Sequence, residues 1–207
     1  MIQVLRAANR IASAWKNGGG LTREIAASPP GAGFDDFDWR VSMAEVRTDG
    51  PFSAFPHIDR VLTVLEGRLA LDIEGRQTIE LAPGAAPLAF PGDAPTVGRL
   101  LEGPVTDLNV MTRRGAACAH LSRADSPTEL PATAGVHLIV ALADRIRVHG
   151  DGGVQTLQRY DAILTDAPAR IGAAAGMHAL VILLTGAEEA ARQPPAEGFP
   201  SPGLPID

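Results

Sequence analysis

The densest cluster of chemically capable side chains reads Trp15-Lys16-Asn17-Gly18-Gly19-Gly20-Leu21-Thr22-Arg23-Glu24. Three successive glycines allow positive φ and close approach of the backbone to another group, and their N–H groups can line an anion nest. Lys16 adds a point charge, and Arg23 adds a planar fork that matches a carboxylate. The competing reading of the same residues is a flexible hairpin tip with solvated charges. A Walker phosphate loop is excluded, since the Lys precedes the glycines and no Lys-Ser or Lys-Thr pair follows them.

Two further sets follow. In Phe37-Asp38-Trp39-Arg40-Val41-Ser42-Met43-Ala44-Glu45-Val46, strand alternation puts Arg40, Ser42 and Ala44 on one face and Trp39, Val41, Met43 and Glu45 on the other. Only a bulge would bring Glu45 to Arg40. The segment from Gly50 to Arg60 then carries Ser53, His57 and Arg60. In Asp107-Leu108-Asn109-Val110-Met111, the residues Asp107, Asn109 and Met111 share a face. Asp and Asn are disfavoured inside strands, which points to a role beyond the fold.

These side chains need a scaffold, and the composition indicates its type. The chain has 207 residues, 45% hydrophobic and only 4% aromatic, so its core is built largely of Ala, Val, Leu and Ile. The 22 Gly and 17 Pro are spread without repeats, suggesting many turns between short strands and an all-β sandwich or barrel. The lone Cys118 leaves no internal disulfide and suggests a reducing compartment. No segment approaches 18 apolar residues, so no membrane role and a cytoplasmic location are expected. A net charge of -6 and the absence of a basic stripe argue against nucleic acid as a partner.

Strands are expected at Trp39 to Val46, Val61 to Ile73 (turning at Glu66-Gly67), Thr78 to Leu81, Leu88 to Phe90, Thr106 to Met111, Leu138 to Ala143, Arg145 to Val148, Ala162 to Thr165 and Ala179 to Leu184. Residues Ala187 to Arg192 suit one short helix. A faint repeat relates the stretch from Leu65 to Pro91 to the one from Leu142 to Pro168, at an offset of 76 to 77 residues. It predicts two similar β units: residues 1–115 with the polar set, residues 116–190 as a degenerate copy, and a Pro-rich tail over 191–207. N-terminal strands exchanged into the second unit are compatible with this division.

The phrase Val64-Leu65-Glu66-Gly67-Arg68-Leu69 resembles the turn after the first cupin motif. Leu81-Ala82-Pro83-Gly84 with Phe90-Pro91-Gly92 resembles the entry to the second. That resemblance implies small RmlC-like jelly-roll barrels, here two packed together as a bicupin. It also puts Arg60 where the first motif's ligand carboxylate would sit, and Thr96 where the second motif's His would sit. His57 alone remains nearby, and one imidazole does not hold a transition metal, so neither metal nor other cofactor is expected. His120, His137, His149 and His178 lack ligand spacing and read as surface or strand-end residues.

Five phrases in order, WKNGGG-x-TRE, FDWR-x-S-x-A, DGPFS-x-F, DR-x-L-x-x-L-x-G and D-x-N-x-M, resemble the HutD (Ves-like) family between Trp15 and Met111. His57 and Leu108 depart from its commoner residues. The resemblance implies association with histidine catabolism, restraint of pathway expression, and sensing of a small anionic metabolite such as urocanate, formiminoglutamate or formylglutamate. A carboxylate ligand suits a pocket of Lys16, Arg23, Arg40 and Arg60. Glu24, Glu45 and Asp107 would orient the arginines or accept a ligand N–H, with Asn17, Ser42, Ser53 and Asn109 completing the hydrogen bonding and Trp15 or Trp39 stacking on a flat ring. The alternatives are a metal-free enzyme using Glu24, Glu45 or His57 as general base, and a protein-interaction module. Cupin edges also allow a homodimer.

Overall fold

The computed structural model describes residues 2–172 and 178–191. The Pro-rich tail from residue 192, and with it Arg192 of the expected short helix, lies outside the described residues. Among the described residues seventeen strands carry almost all of the regular structure. The first nine are β1 (Gln3–Leu5), β2 (Ala12–Ala14), β3 (Gly20–Ser28), β4 (Trp39–Val46), β5 (Gly50–Pro51), β6 (Ile58–Ile73), β7 (Ile79–Leu81), β8 (Leu88–Pro91) and β9 (Thr96–Arg113). They are followed by β10 (Ala117–Ala124), β11 (Thr128–Leu130), β12 (Val136–Ala141), β13 (Ile146–Gly150), β14 (Gly153–Leu157), β15 (Ala162–Thr165), β16 (Ala169–Ile171), β17 (Ala179–Gly186) and the one-turn helix α1 (Ala187–Ala190).

The chain forms two compact units. One spans residues 12–116, with α1 joined to it. Its strands form one antiparallel sheet in the order β2-β3-β4-β9-β6-β7, with β5 added against β9 and β8 against β6. The long strand β6 contributes Leu62 and Val64 from its first half and Leu69, Leu71 and Ile73 from its second half to the same core, joined there by Val46, Leu81, Phe90 and Val105. The expected turn at Glu66-Gly67 is absent. β6 runs through it, bent by register shifts against β9 between Val64 and Leu69, as bulges do. Gly67 sits there at φ 77°, where a Cβ would lie 2.6 Å from the Pro104 carbonyl oxygen, so glycine serves the bulge rather than a reversal.

The other unit combines β1 with β10 to β17. A five-stranded sheet in the order β1-β15-β12-β17-β10 faces a four-stranded one, β11-β16-β13-β14. Ile139, Ile163 and Val181 from the first sheet meet Ile146, Val148, Leu157 and Ile171 from the second in an apolar core. The strand β1 is held in register by Gln3 opposite Leu164 and Leu5 opposite Ala162. Just beyond it, the Asp161 carboxylate accepts from Arg6 Nη1 and from the Ala7 amide, each at 2.8 Å.

Candidate functional site

Residues opposite one another on antiparallel strands share a face. On β4, β9 and β6 this gives three successive rows facing the core of the first unit. The outermost is Arg40, Met111, Arg60, extended by Phe90 on β8. The next is Glu24, Ser42, Asn109, Leu62, and the third is Thr22, Ala44, Asp107, Val64. Strand alternation thus brings six of the thirteen residues expected at the site, Glu24, Arg40, Ser42, Arg60, Asp107 and Asn109, onto one surface.

Three of them are chained by hydrogen bonds. Arg60 Nη2 donates to Asn109 Oδ1 at 2.6 Å, and the Asn109 amide nitrogen donates to Asp107 Oδ1. Arg60 is 6% exposed and Asp107 1%. Burial pushes the Asp107 carboxyl up to about 7, against the opposing pull of the Arg60 charge and the Asn109 bond. Burial likewise lowers Arg60 to about 10, offset by Asp107. The hydrogen bonding is incomplete, since Arg60 Nε and Asp107 Oδ2 are buried without a partner among the described residues. A buried polar group left unpaired costs about 1–3 kcal/mol, so these two atoms mark where a polar guest would bring stabilisation.

The Arg60 guanidinium carbon lies 5.1 Å from the ring centres of both Phe52 and Phe90 and 5.8 Å from that of Phe55. Their π-faces attract the cation in place of water. Phe55 stacks on Phe34 at 5.7 Å, and Phe34 lies 4.6 Å beneath Arg40. Arg40 Nε in turn donates to Glu24 Oε2 at 2.7 Å. The segment carrying Phe55 is fixed by two bonds through Gly92, Phe55 amide to Gly92 carbonyl and Gly92 amide to Ile58 carbonyl, both 2.7 Å. The aromatic cage was not among the expected site residues. Its signal in the sequence is that five of the six Phe of an aromatic-poor chain fall between residues 34 and 90.

The remaining seven residues lie elsewhere. Glu45 keeps to the opposite face of β4, because the β4–β9 register is unbroken, and it pairs with Arg47 at 2.7 Å and with Arg23 at 3.9 Å. Trp39 is buried on that same opposite face. Lys16 is exposed in the β2–β3 hairpin, and Asn17 Oδ1 caps the Gly19 amide at 3.0 Å. The glycine run closes this hairpin, with Gly18 at φ 72° and no room for a Cβ at Gly20 between Trp15 and the Glu45 carbonyl. Ser53 and His57 are exposed. His137, read from sequence as a surface or strand-end residue, stands second in β12 but is buried.

A cupin fold raises the question of a metal, and the residues here do not fit one. Arg60 would put its charge against a cation, and the Thr96 hydroxyl is turned to the Ala94 carbonyl at 2.9 Å. Among the described residues no three His, Cys, Asp or Glu side chains come close enough to hold an ion.

Fold and site together define a cupin-type β protein whose core face carries a buried guanidinium. A Cupin 2 conserved barrel domain protein from Leptotrichia buccalis shares this fold with a TM-score of 0.60 over 88% of this chain and 96% of that one, at 12% identity, a likeness of fold alone. The chain belongs to the HutD family, whose profile matches residues 7–182. It is 35% identical over 164 residues, 78% of this chain and 85% of the relative, to a 21.2 kDa Pseudomonas putida protein from the hutC 3' region. HutD from Pseudomonas fluorescens, solved in a formate condition, superposes with a TM-score of 0.80 at 31% identity, covering 90% of this chain and 99% of that one.

Proposed function

We propose that the protein is a cytoplasmic bicupin that binds a small carboxylate metabolite at Arg60 without a metal, and that this binding regulates histidine utilisation. The observation that carries the reading is Arg60 itself, a guanidinium buried on the core face with its Nε unpaired. A carboxylate is the group that such a planar fork receives best. Asp107 Oδ2 offers an acceptor two rows deeper, so a ligand with an N–H or O–H beyond its carboxylate suits the row. The genomic neighbourhood of the Pseudomonas putida relative and the formate condition of the Pseudomonas fluorescens structure support the same direction.

The test is a thermal-shift and calorimetric screen, with EDTA present, of urocanate, formiminoglutamate, formylglutamate, glutamate, formate and histidine. A ligand at about 100 times its dissociation constant adds roughly 2.7 kcal/mol. The expected result is one clear stabiliser whose effect disappears in Arg60→Gln. Stabilisation that survives Arg60→Gln, or none from any compound, overturns the reading.

A second reading, metal-free general acid–base catalysis on the same class of anion, is favoured by one observation. Asp107 is held near 7, where a proton-transfer group is most effective at neutral pH. Glu45 and His57 do not share its face. Consumption of the stabilising ligand, abolished by Asp107→Asn with binding retained, would establish catalysis.

A further inference from the structure

The same three-strand pattern recurs in the second unit with different chemistry. There β10, β17 and β12 stand as β4, β9 and β6 do in the first. The outer row Arg40, Met111, Arg60 is matched by His120, Leu183, His137. The row Ser42, Asn109, Leu62 is matched by Ser122, Val181, Ile139, and Ala44, Asp107, Val64 by Ala124, Ala179, Ala141. The flanking partner of Arg60 is Phe90, and that of His137 is Thr165. The sequence repeat points the same way, since an offset of 77 carries Arg60 onto His137. Both units therefore set a nitrogen-rich, cationic or cationisable side chain at two corresponding positions of one row. The rows beneath differ, with Asn109 and Asp107 of the first unit replaced by Val181 and Ala179 in the second.

His137 is 5% exposed, and its ring Nδ1 is buried with no partner among the described residues. Thr165 does not supply one, because its hydroxyl is engaged with the Ala167 backbone at 3.2 and 3.3 Å. A buried ring nitrogen facing a shared interior is an unfilled half of a hydrogen bond. We infer that His137 anchors a second binding site, which takes a one- or two-carbon carboxylate on its imidazole Nδ1–H. The size limit follows from the floor. Ile139 and Val181 are packed into the apolar core and Ser122 of their row is exposed, so that row holds no buried partner for a polar group beyond the carboxylate. Asn109 and Asp107 provide such partners in the first unit.

The inference borrows its ligand class from the anion reading of Arg60, but its test is independent of that reading. The full-length protein, labelled with 13C in its five histidine rings, is titrated with sodium formate and sodium acetate against sodium chloride at equal ionic strength. Signals are assigned with His137→Gln, and with His120→Gln together with through-space contacts to Leu183 and Thr165 if the first variant does not fold. The expected result is a saturable shift of the His137 ring with formate or acetate and not chloride, unchanged in Arg60→Gln. A His137 signal unmoved at ~50 mM, beyond any millimolar dissociation constant, overturns the inference. So does a response equal to that with chloride, or one lost in Arg60→Gln, which would make the ring a reporter of the first site. If instead Arg60→Gln leaves all carboxylate binding intact, the first-site reading fails while the His137 result still stands or falls alone.

Discussion

The interiors of the two units show that one strand arrangement can be filled in opposite ways. In the second, Ile139, Ile163 and Val181 close the space with hydrocarbon, and each buried methylene contributes about 0.8 kcal/mol. In the first, Asn109 stands where Val181 does and Asp107 where Ala179 does, with Arg60 in the row above, and their mutual hydrogen bonds only partly offset desolvation. The lesson is that burial alone does not mark a binding surface. What distinguishes the first interior is a chain of buried polar side chains, Arg60, Asn109 and Asp107, that is left incomplete at both ends, at Arg60 Nε and Asp107 Oδ2, where the second unit carries the isolated ring nitrogen of His137.

The most forceful way to break the contrast is to make the first interior apolar as well. Arg60→Leu alone strands Asp107 and should cost about 3–5 kcal/mol at pH 8 in urea unfolding. The cost should shrink at pH 5, where Asp107 takes up a proton. Arg60→Leu combined with Asp107→Leu removes both buried charges and should recover most of the loss, because well-packed apolar replacements of a buried charge pair are often neutral or stabilising. A double variant no more stable than the single one would mean that the polar row holds the unit together rather than burdening it.

A finer test uses pH. Asp107 has its folded-state pKa raised to about 7, above the roughly 3.9 of an unfolded aspartate. The stability it contributes is full below about pH 4 and is lost as pH rises towards 7, with no further change above. Protonated Asp107 also leaves the Arg60 charge uncompensated. Carboxylate affinity at this site should therefore fall as pH rises through 7, by at most about tenfold per unit for one linked proton. Calorimetry across pH 5.5–8.5 checks this, and Asp107→Asn should flatten the profile. The smallest effect is expected at Lys16, exposed on its hairpin. Lys16→Ala should change stability by no more than about 0.5 kcal/mol and leave affinity untouched, as equilibrium unfolding and the same calorimetry would show.

Much of this could be read from alternation alone. Trp39–Val46 is a strand with the expected bounds, Arg40 and Ser42 share its inward face, and Glu45 stays on the other. The grouping of Asp107, Asn109 and Met111 followed from the same period of two. What alternation misses is distance through space. Lys16, Asn17, Ser53 and His57 neighbour site residues in sequence but sit in turns that carry them to the surface. The Gly-containing pair at Glu66-Gly67 has the signature of a reversal, yet continuous pairing with β9 turns it into bulges. The Phe52, Phe55 and Phe90 cage depends on β8 lying beside β6, a long-range pairing that no local pattern announces.

The placement of β1 has a consequence for how the chain comes to be folded. Its partner strand β15 is made only after the whole 12–116 unit, and the Arg6–Asp161 ion pair spans 155 residues. During synthesis the 12–116 unit can condense as soon as it leaves the ribosome, while residues 3–5 wait as an unpaired edge. Long-range strand pairing of this kind is slow, because the closure entropy is lost before the contacts form. The second unit thus becomes complete only when β1 is joined to a strand made after the whole 12–116 unit.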